Sequence, residues 1–332
     1  MLYADEKEVA IRAAVAAARL CEQVRWQRGG EALQKPDQSP VTVADFGAQA
    51  VICQALQRTF PQDSVVGEED ATLLQTPAMA PSLIQVQDAV QGILPGVSQD
   101  QVIEWINHGN GLPQKRFWSL DPIDGTKGFV RGDQYAIALA LIEDGEVKLG
   151  VMACPALPVR GQDSPSESGV LFSAVRGQGA TMMSLVSGET QTIRVNATPS
   201  NDSYRLIESV ETDHGNPSLQ RTIARDIGIT APIIAMDSQA KYGAVARGDA
   251  DLYLRLLAPD SHGYRENIWD HAPGIILLEE AGGQVTDMAG KPIDFSQGSK
   301  LSQNQGVIAS NGLLHDKVLE ALGTRKTQLS GV

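Results

Sequence analysis

Strand-length apolar runs crowd the segment from Phe117 to Met183: Phe117–Leu120, Tyr135–Ile142, Val147–Ala153, Val170–Val175 and Ala180–Met183. Glu143-Asp144-Gly145-Glu146 separates two of them with a hairpin turn, and Gly177-Gln178-Gly179 supplies a second turn. After about Thr192 the pattern changes to short strands alternating with helices: strand 206–209, helix 218–227, strand 233–235, helix 239–246, strand 251–254, helix 270–281 and strand 284–286. That alternation predicts an α/β unit. With 332 residues and roughly 100–200 residues per domain, the expectation is an α+β domain over 1–192 and an α/β domain over 193–332.

Ahead of the strand-rich segment, apolar and alanine positions recur at helical spacing from Asp5 to Arg25. Val41–Val43 is a short strand, a helix starts near Asp45 and is ended by Pro61, and Val65-Val66 is another strand. Residues 71–115 contain four prolines and scattered apolar positions, and are expected to form an irregular or helical insertion. Gly161–Gly169 is the clearest loop by composition.

Composition excludes several function classes. No run approaches the roughly 18 apolar residues of a membrane-crossing helix. Asp5, Glu6 and Glu8 occupy the place where a signal peptide would be basic and then apolar, so the expectation is a cytoplasmic protein without membrane contact. Cys21, Cys53 and Cys154 are widely spaced, with no C-x-x-C, and are expected to be buried small apolar groups. A net charge of -13, from 27 basic and 40 acidic residues, disfavours duplex nucleic acid, whose binding depends on neutralised phosphates. A small anionic substrate stays compatible if cations offset the field locally.

The acids that carry chemical information lie at strand ends: Asp45, Glu68, Asp121, Asp124 and Asp270. Such side chains point into loops, and neighbouring strand ends build one cleft. Mg²⁺ takes carboxylate, carbonyl and water oxygens, with one or two carboxylates per ion, so four acids can serve more than one ion. In Asp121-Pro122-Ile123-Asp124-Gly125-Thr126 the proline fixes one backbone angle and helps hold both aspartates on one side of a tight turn, leaving the Ile123 carbonyl available. Gly125 permits close approach, and a helix starting at Thr126 would present N–H groups to phosphate. Singly, each acid also has a plainer role: D-P-x-D-G is good turn chemistry, Asp45 and Asp270 suit helix N-caps, and Glu68-Glu69-Asp70 suits a solvated turn.

Taken together, SPVTVADFGAQ, VVGEE, WSLDPIDGTKGFVRGDQYAIALALIEDGE and WDHAPG, in that order, closely resemble the inositol monophosphatase superfamily of lithium-sensitive magnesium phosphatases. DPIDGTKGFVRG, the insertion before it and DSQAKYGAVARGDADLYLR are most similar to its 3'(2'),5'-bisphosphate nucleotidase branch. The resemblance implies a layered αβαβα sandwich and a phosphomonoesterase that removes the 3'-phosphate of 3'-phosphoadenosine 5'-phosphate, with the 5'-phosphosulfate analogue as a further substrate. It implies two or three Mg²⁺ ions on Glu68, Asp121, the Ile123 carbonyl, Asp124 and Asp270, with Li⁺ inhibitory. Asp45 and Thr126 would activate water, and Gly125, Thr126, His214, Ser238, Lys241 and Arg255 would contact the bisphosphorylated nucleotide. Pro273 departs from the small residue that relatives commonly place there, although a proline is tolerated in a first helical turn. Inositol polyphosphate 1-phosphatase activity, or a catalytically silent metal-binding regulator of the same fold, are the alternatives.

Overall fold

The structure, a computed structural model, describes residues 2–28, 32–35, 40–160, 164–198, 204–211, 215–257 and 265–330. Helix α1 spans Ala4–Arg28, strands β1 (Ala32–Gln34) and β2 (Pro40–Thr42) form a small antiparallel pair, and α2 spans Val43–Thr59. The α1 stripe Ala10, Ala13, Ala14, Ala17 and Cys21 is buried; such small side chains let it lie close on α2 and on the sheet behind. The cap of α2 is Thr42. Asp45 is the third helical residue and returns a hydrogen bond to the cap backbone, a reciprocal capping box. The N-cap role open to Asp45 is therefore corrected by three residues.

The larger sheet runs β3 (Ser64–Gly67), β4 (Arg116–Asp124), β5 (Ala136–Glu143), β6 (Glu146–Arg160), β7 (Ser164–Val175), β8 (Ala180–Ser184) and β9 (Thr190–Ile193), side by side in chain order. Only the β3–β4 pair is parallel. Between β3 and β4 the insertion is mostly helical, with α3 (Ala80–Gln91) and α4 (Gln99–His108) packed on α2. A short helix, α5 (Thr126–Arg131), follows β4. The expected loop at 161–169 is shorter, because β7 already starts at Ser164; residues 161–163 lie outside the described residues. β9 ends at Ile193, so the boundary expected at 192 falls within the last strand of this sheet.

Beyond it come β10 (Leu206–Glu208), α6 (Pro217–Asp226), β11 (Ile234–Ala235), α7 (Ala240–Ala246), β12 (Leu252–Arg255), α8 (Ala272–Glu280), β13 (Gln284–Thr286), β14 (Val307–Ser310) and α9 (His315–Ser330). The strands form a second sheet ordered β11-β10-β12-β14-β13, with β10 parallel to β11 and β12 and β14 antiparallel to its neighbours. Helices α6 and α9 cover its outer face, while α7 and α8 lie between the two sheets. The result is five layers, αβαβα.

Side-chain size decides which face meets which layer. Along β5, Ile137, Leu139 and Leu141 enter the core under α1 and α2, while Ala136 and Ala140 face the α7–α8 layer. The alternation of large and small residues is the period-2 pattern of a strand buried on both faces. Small residues bring α8 close: a Cβ on Gly150 of β6 would meet Ile276 Cγ2 at 2.5 Å and the Pro273 carbonyl at 2.9 Å. A Cβ on Gly274 would overlap the Tyr242 ring of α7. Pro273 occupies the first turn of α8, where its missing N–H breaks no helical bond.

Cys21, Cys53 and Cys154 are all fully buried, as expected. Among the described residues no helix is long and apolar enough to cross a membrane. Because α8 has no spare room, Gly274→Ala should destabilise the fold by about 1–3 kcal/mol through overpacking. Urea unfolding followed by far-UV circular dichroism measures this, and an unchanged midpoint would mean that α8 can move away from α7.

Candidate active site

A cleft of about 500 Å³ opens where the carboxyl ends of β3 and β4 meet the loops leading into α7 and α8. Glu68, Asp121, Asp124 and Asp270 line it, together with the Ile123, Gly125 and Thr126 segment. Lys241 from α7 and Arg255 from the end of β12 line the same cleft. All the described candidates except Asp45 line this cleft, from both halves of the chain; Asp45 is buried behind Thr126, and His214 lies outside the described residues.

The two aspartates of DPIDGT belong to the end of β4 rather than to the turn itself. Pairing with β5 joins Asp121 to Ala138 and Asp124 to Ala136, and the register shifts between them. Pro122 and Ile123 thereby stand outside the ladder, which frees the Ile123 carbonyl from strand pairing. The turn comes at Gly125, whose left-handed backbone (φ 85°, ψ 43°) opens α5. A Cβ there would also meet Ser238 Cβ at 2.9 Å, so the corner and the 237–239 loop are in close contact. Asp270 precedes α8 by two residues, and His271 is its cap; the expected N-cap at Asp270 is corrected.

These acids are costly to keep ionised. Burial pushes Asp121 well above the usual carboxylate range, and repulsion from Glu68, Asp124 and Asp270 adds to it. Asp121 Oδ1 is buried without a hydrogen-bond partner. Asp270 is raised to about 8, chiefly by burial, with the Arg255 charge opposing the rise. Asp124 is also raised by burial, offset by the Lys241 charge and by the Gln239 N–H, which donates to its Oδ2 at 2.5 Å.

Thr126 stands at the first position of α5, with its hydroxyl 3.4 Å from Asp45 Oδ1 and 3.2 Å from the Ile123 carbonyl. It has one proton to donate, so it bonds one acceptor at a time. The other oxygen of Asp45 accepts the Thr42 N–H at 2.7 Å and the Thr42 hydroxyl at 2.5 Å, which fixes the carboxyl group. Burial raises Asp45 to about 7 against the stabilising Thr42 bonds.

On the opposite wall, Lys241 is 3% exposed, donates to the Met236 carbonyl at 3.2 Å and lies 5.2 Å from the Tyr253 ring centroid. Burial lowers it to about 8, against the pull of Asp124. Ser238, just before α7, has a positive φ of 66°. Its hydroxyl accepts the Ala240 N–H at 3.2 Å. Arg255 forms a two-point pair with buried Glu266, Nε to Oε1 at 2.8 Å and Nη2 to Oε2 at 2.7 Å. Burial opposes ionisation of Glu266, yet Arg255 and His271 hold it down to about 2.

Several site residues escaped the sequence reading. Lys35 bridges Glu68 and Glu69, at 3.0 and 2.6 Å. Glu69, expected in a solvated turn, is 3% exposed; its N–H donates to Gln49 Oε1 at 3.1 Å, and its carbonyl accepts from Gln49 Nε2. No pattern around Lys35 marks it, whereas Gln49 closes the SPVTVADFGAQ run. Gln239 and Glu266 did have a signal, since they lie inside DSQAKY and four residues before Asp270.

The donor set fits hard divalent cations: carboxylates from the β3–β4 end of the larger sheet and from the loop before α8, a carbonyl outside the strand ladder, and a buried Asp121 oxygen with no protein partner. Among the described residues no three acidic, histidine or cysteine side chains already form a closed ligand cluster. The oxygens line the walls of a cleft rather than enclosing a cage.

Comparison with known proteins agrees with this architecture. Residues 4–327 match the Inositol monophosphatase family. The 3'(2'),5'-bisphosphate nucleotidase of Emericella nidulans is 41% identical over 348 residues, covering 97% of this chain and 98% of that one. Its namesake from Schizosaccharomyces pombe is 42% identical over 339 residues, covering 97% and 96%. Among solved structures, the Thermotoga maritima IMPase superposes with a TM-score of 0.67 at 26% identity, covering 98% of this chain and 99% of the other. With nearly its whole length matched in both sequence and fold, the chain belongs to the inositol monophosphatase family, a family of metal-dependent phosphatases.

Proposed function

We propose that this chain is a 3'(2'),5'-bisphosphate nucleotidase. It uses water to remove the 3'-phosphate of 3'-phosphoadenosine 5'-phosphate, giving AMP and phosphate, and accepts the 5'-phosphosulfate analogue as a second substrate. Its compartment is the cytoplasm. The observation that carries the proposal is one cleft in which Glu68, Asp121, Asp124 and Asp270 face Lys241 and Arg255. Full-length relatives that bear the nucleotidase name support it.

Glu68, Asp121, the Ile123 carbonyl, Asp124 and Asp270 would hold two or three Mg²⁺ ions, which when bound neutralise phosphoryl charge and make the attacking water more acidic. The protein orients that water through Thr126. When the hydroxyl proton is directed to Asp45 Oδ1, the Thr126 oxygen keeps its lone pairs for a proton of the water. Thr42 prevents the carboxyl group from turning away. Gly125, Thr126 and Ser238, which line the cleft, would contact the substrate, Ser238 on its nucleotide side. Lys241 and Arg255 bind the phosphate that is kept, through charge-assisted hydrogen bonds. His214 is assigned to the nucleotide by resemblance alone.

Asp45→Asn and Thr126→Ala should each lower kcat by about 10²- to 10⁴-fold with the circular dichroism spectrum unchanged. Turnover at the parent rate would remove the pair from the mechanism. Because burial raises Asp45 to about 7 and nearby bound cations can only lower it, kcat/KM should fall about tenfold per pH unit below an apparent pKa at or under 7. Asp45→Asn should lose that limb.

A substrate panel separates the alternatives. Purified protein should release phosphate from 3'-phosphoadenosine 5'-phosphate only with Mg²⁺ and should be inhibited by Li⁺. Hydrolysis of inositol polyphosphates alone would assign the 1-phosphatase activity, and no hydrolysis of any member would favour the silent regulator.

A further inference from the structure

Asp124 and Asp270 reach the cleft from different halves of the chain, one on β4 and one in the loop before α8, so no local element fixes their separation. Gln239 is bonded toward both. Its backbone N–H donates to Asp124 Oδ2 at 2.5 Å, and its side-chain Nε2 donates at 2.8 Å to the carbonyl of Trp269, the residue before Asp270. The remaining side-chain oxygen accepts the Gly274 N–H at 3.4 Å, a first-turn donor with no partner inside α8. The side chain is 3% exposed, so little water competes for these bonds.

A neutral amide brings no charge to a site crowded with carboxylates; its contribution is direction. One end must donate and the other accept, and Gln239 meets both demands at the junction of β4, α7 and α8. We infer that Gln239 is a positioning residue whose hydrogen bonds set the spacing of the Asp124 and Asp270 carboxylates, and through that spacing the affinity of the cleft for hard divalent cations. The inference rests on the assignment of these two aspartates as metal ligands. Groups that orient metal ligands from behind typically change metal affinity by about 10- to 100-fold when altered.

Glutamate at position 239 separates direction from charge. It matches glutamine in shape, but it cannot donate to the Trp269 carbonyl when ionised, and it adds a negative charge that would by itself attract a cation. Mn²⁺ binding to the full-length chain, followed by electron paramagnetic resonance of the free ion, provides a readout independent of turnover. Gln239→Glu and Gln239→Ala should each raise the Mn²⁺ Kd by about 10- to 100-fold while circular dichroism stays native. An unchanged Kd in folded Gln239→Glu, or tighter binding, would overturn the inference; if Gln239→Ala fails to fold, Gln239→Glu decides alone. Asp270→Asn distinguishes the two levels. If it binds Mn²⁺ like the parent, the ligand assignment fails and the inference with it. If it loses affinity while Gln239→Glu does not, only the role of Gln239 is wrong.

Discussion

Mutual repulsion among buried carboxylates is the constraint around which this site is built. Asp45, Asp121, Asp124 and Asp270 are all raised by burial, and Asp45, Asp121 and Asp270 also by their acidic neighbours. A fold can keep such a group together only if each charge has a nearby donor or cation. Thr42 serves Asp45, Lys35 serves Glu68, and the Gln239 N–H serves Asp124. Behind Asp270, Arg255 is paired with Glu266. Those partners come from β2 and its preceding loop, from the start of α7 and from β12, so holding the acids also fixes how those elements meet.

The same constraint explains the differing environments of the two cations. Lys241 is buried and lowered to about 8, whereas Lys35, also largely buried, is raised because two glutamates outweigh its desolvation. A lysine facing an apolar ring and a lone carbonyl is easier to deprotonate than one held between carboxylates. The cleft thus has a strongly paired end near Glu68 and a more weakly compensated cation at Lys241, the side assigned to an anionic substrate.

Much of this was legible from local signals. An unbroken apolar run marked β5, the 143–146 turn joined it to β6, and Glu68, Asp121, Asp124 and Asp270 were read as sharing one cleft, although Asp270 sits before a helix rather than at a strand end. The misplaced details all depend on partners distant in sequence or on cap geometry. Asp45 was read as a helix cap because aspartate favours that place, but Thr42 was available three residues earlier. The 121–124 turn was read one step early because a proline within a strand is unusual, and a register shift accommodates it. Lys35 gave no signal, and Gln49 none beyond its place in SPVTVADFGAQ, because their roles exist only once β3 lies beside α2 and the preceding loop. Glu69 looked solvated because three consecutive acids ordinarily are. The last strand and last helix followed no pattern distinct enough to be anticipated.

The helical layer between the sheets has a consequence for how the protein can be divided. Residues Ala272 through Leu278 of α8 are all buried, and the core around them includes Phe172 and Met152 from one sheet and Tyr253 and Ala309 from the other. A helix apolar on every side needs cover on every side. Cutting near Ile193 would therefore leave each fragment with a bare hydrophobic face, one a sheet without its helices and the other helices without their sheet. Such fragments would associate with themselves or with each other. The two halves differ in topology, but they share one interior, and a usable split or permutation site belongs at the surface, such as the exposed Pro95-Gly96 turn between α3 and α4.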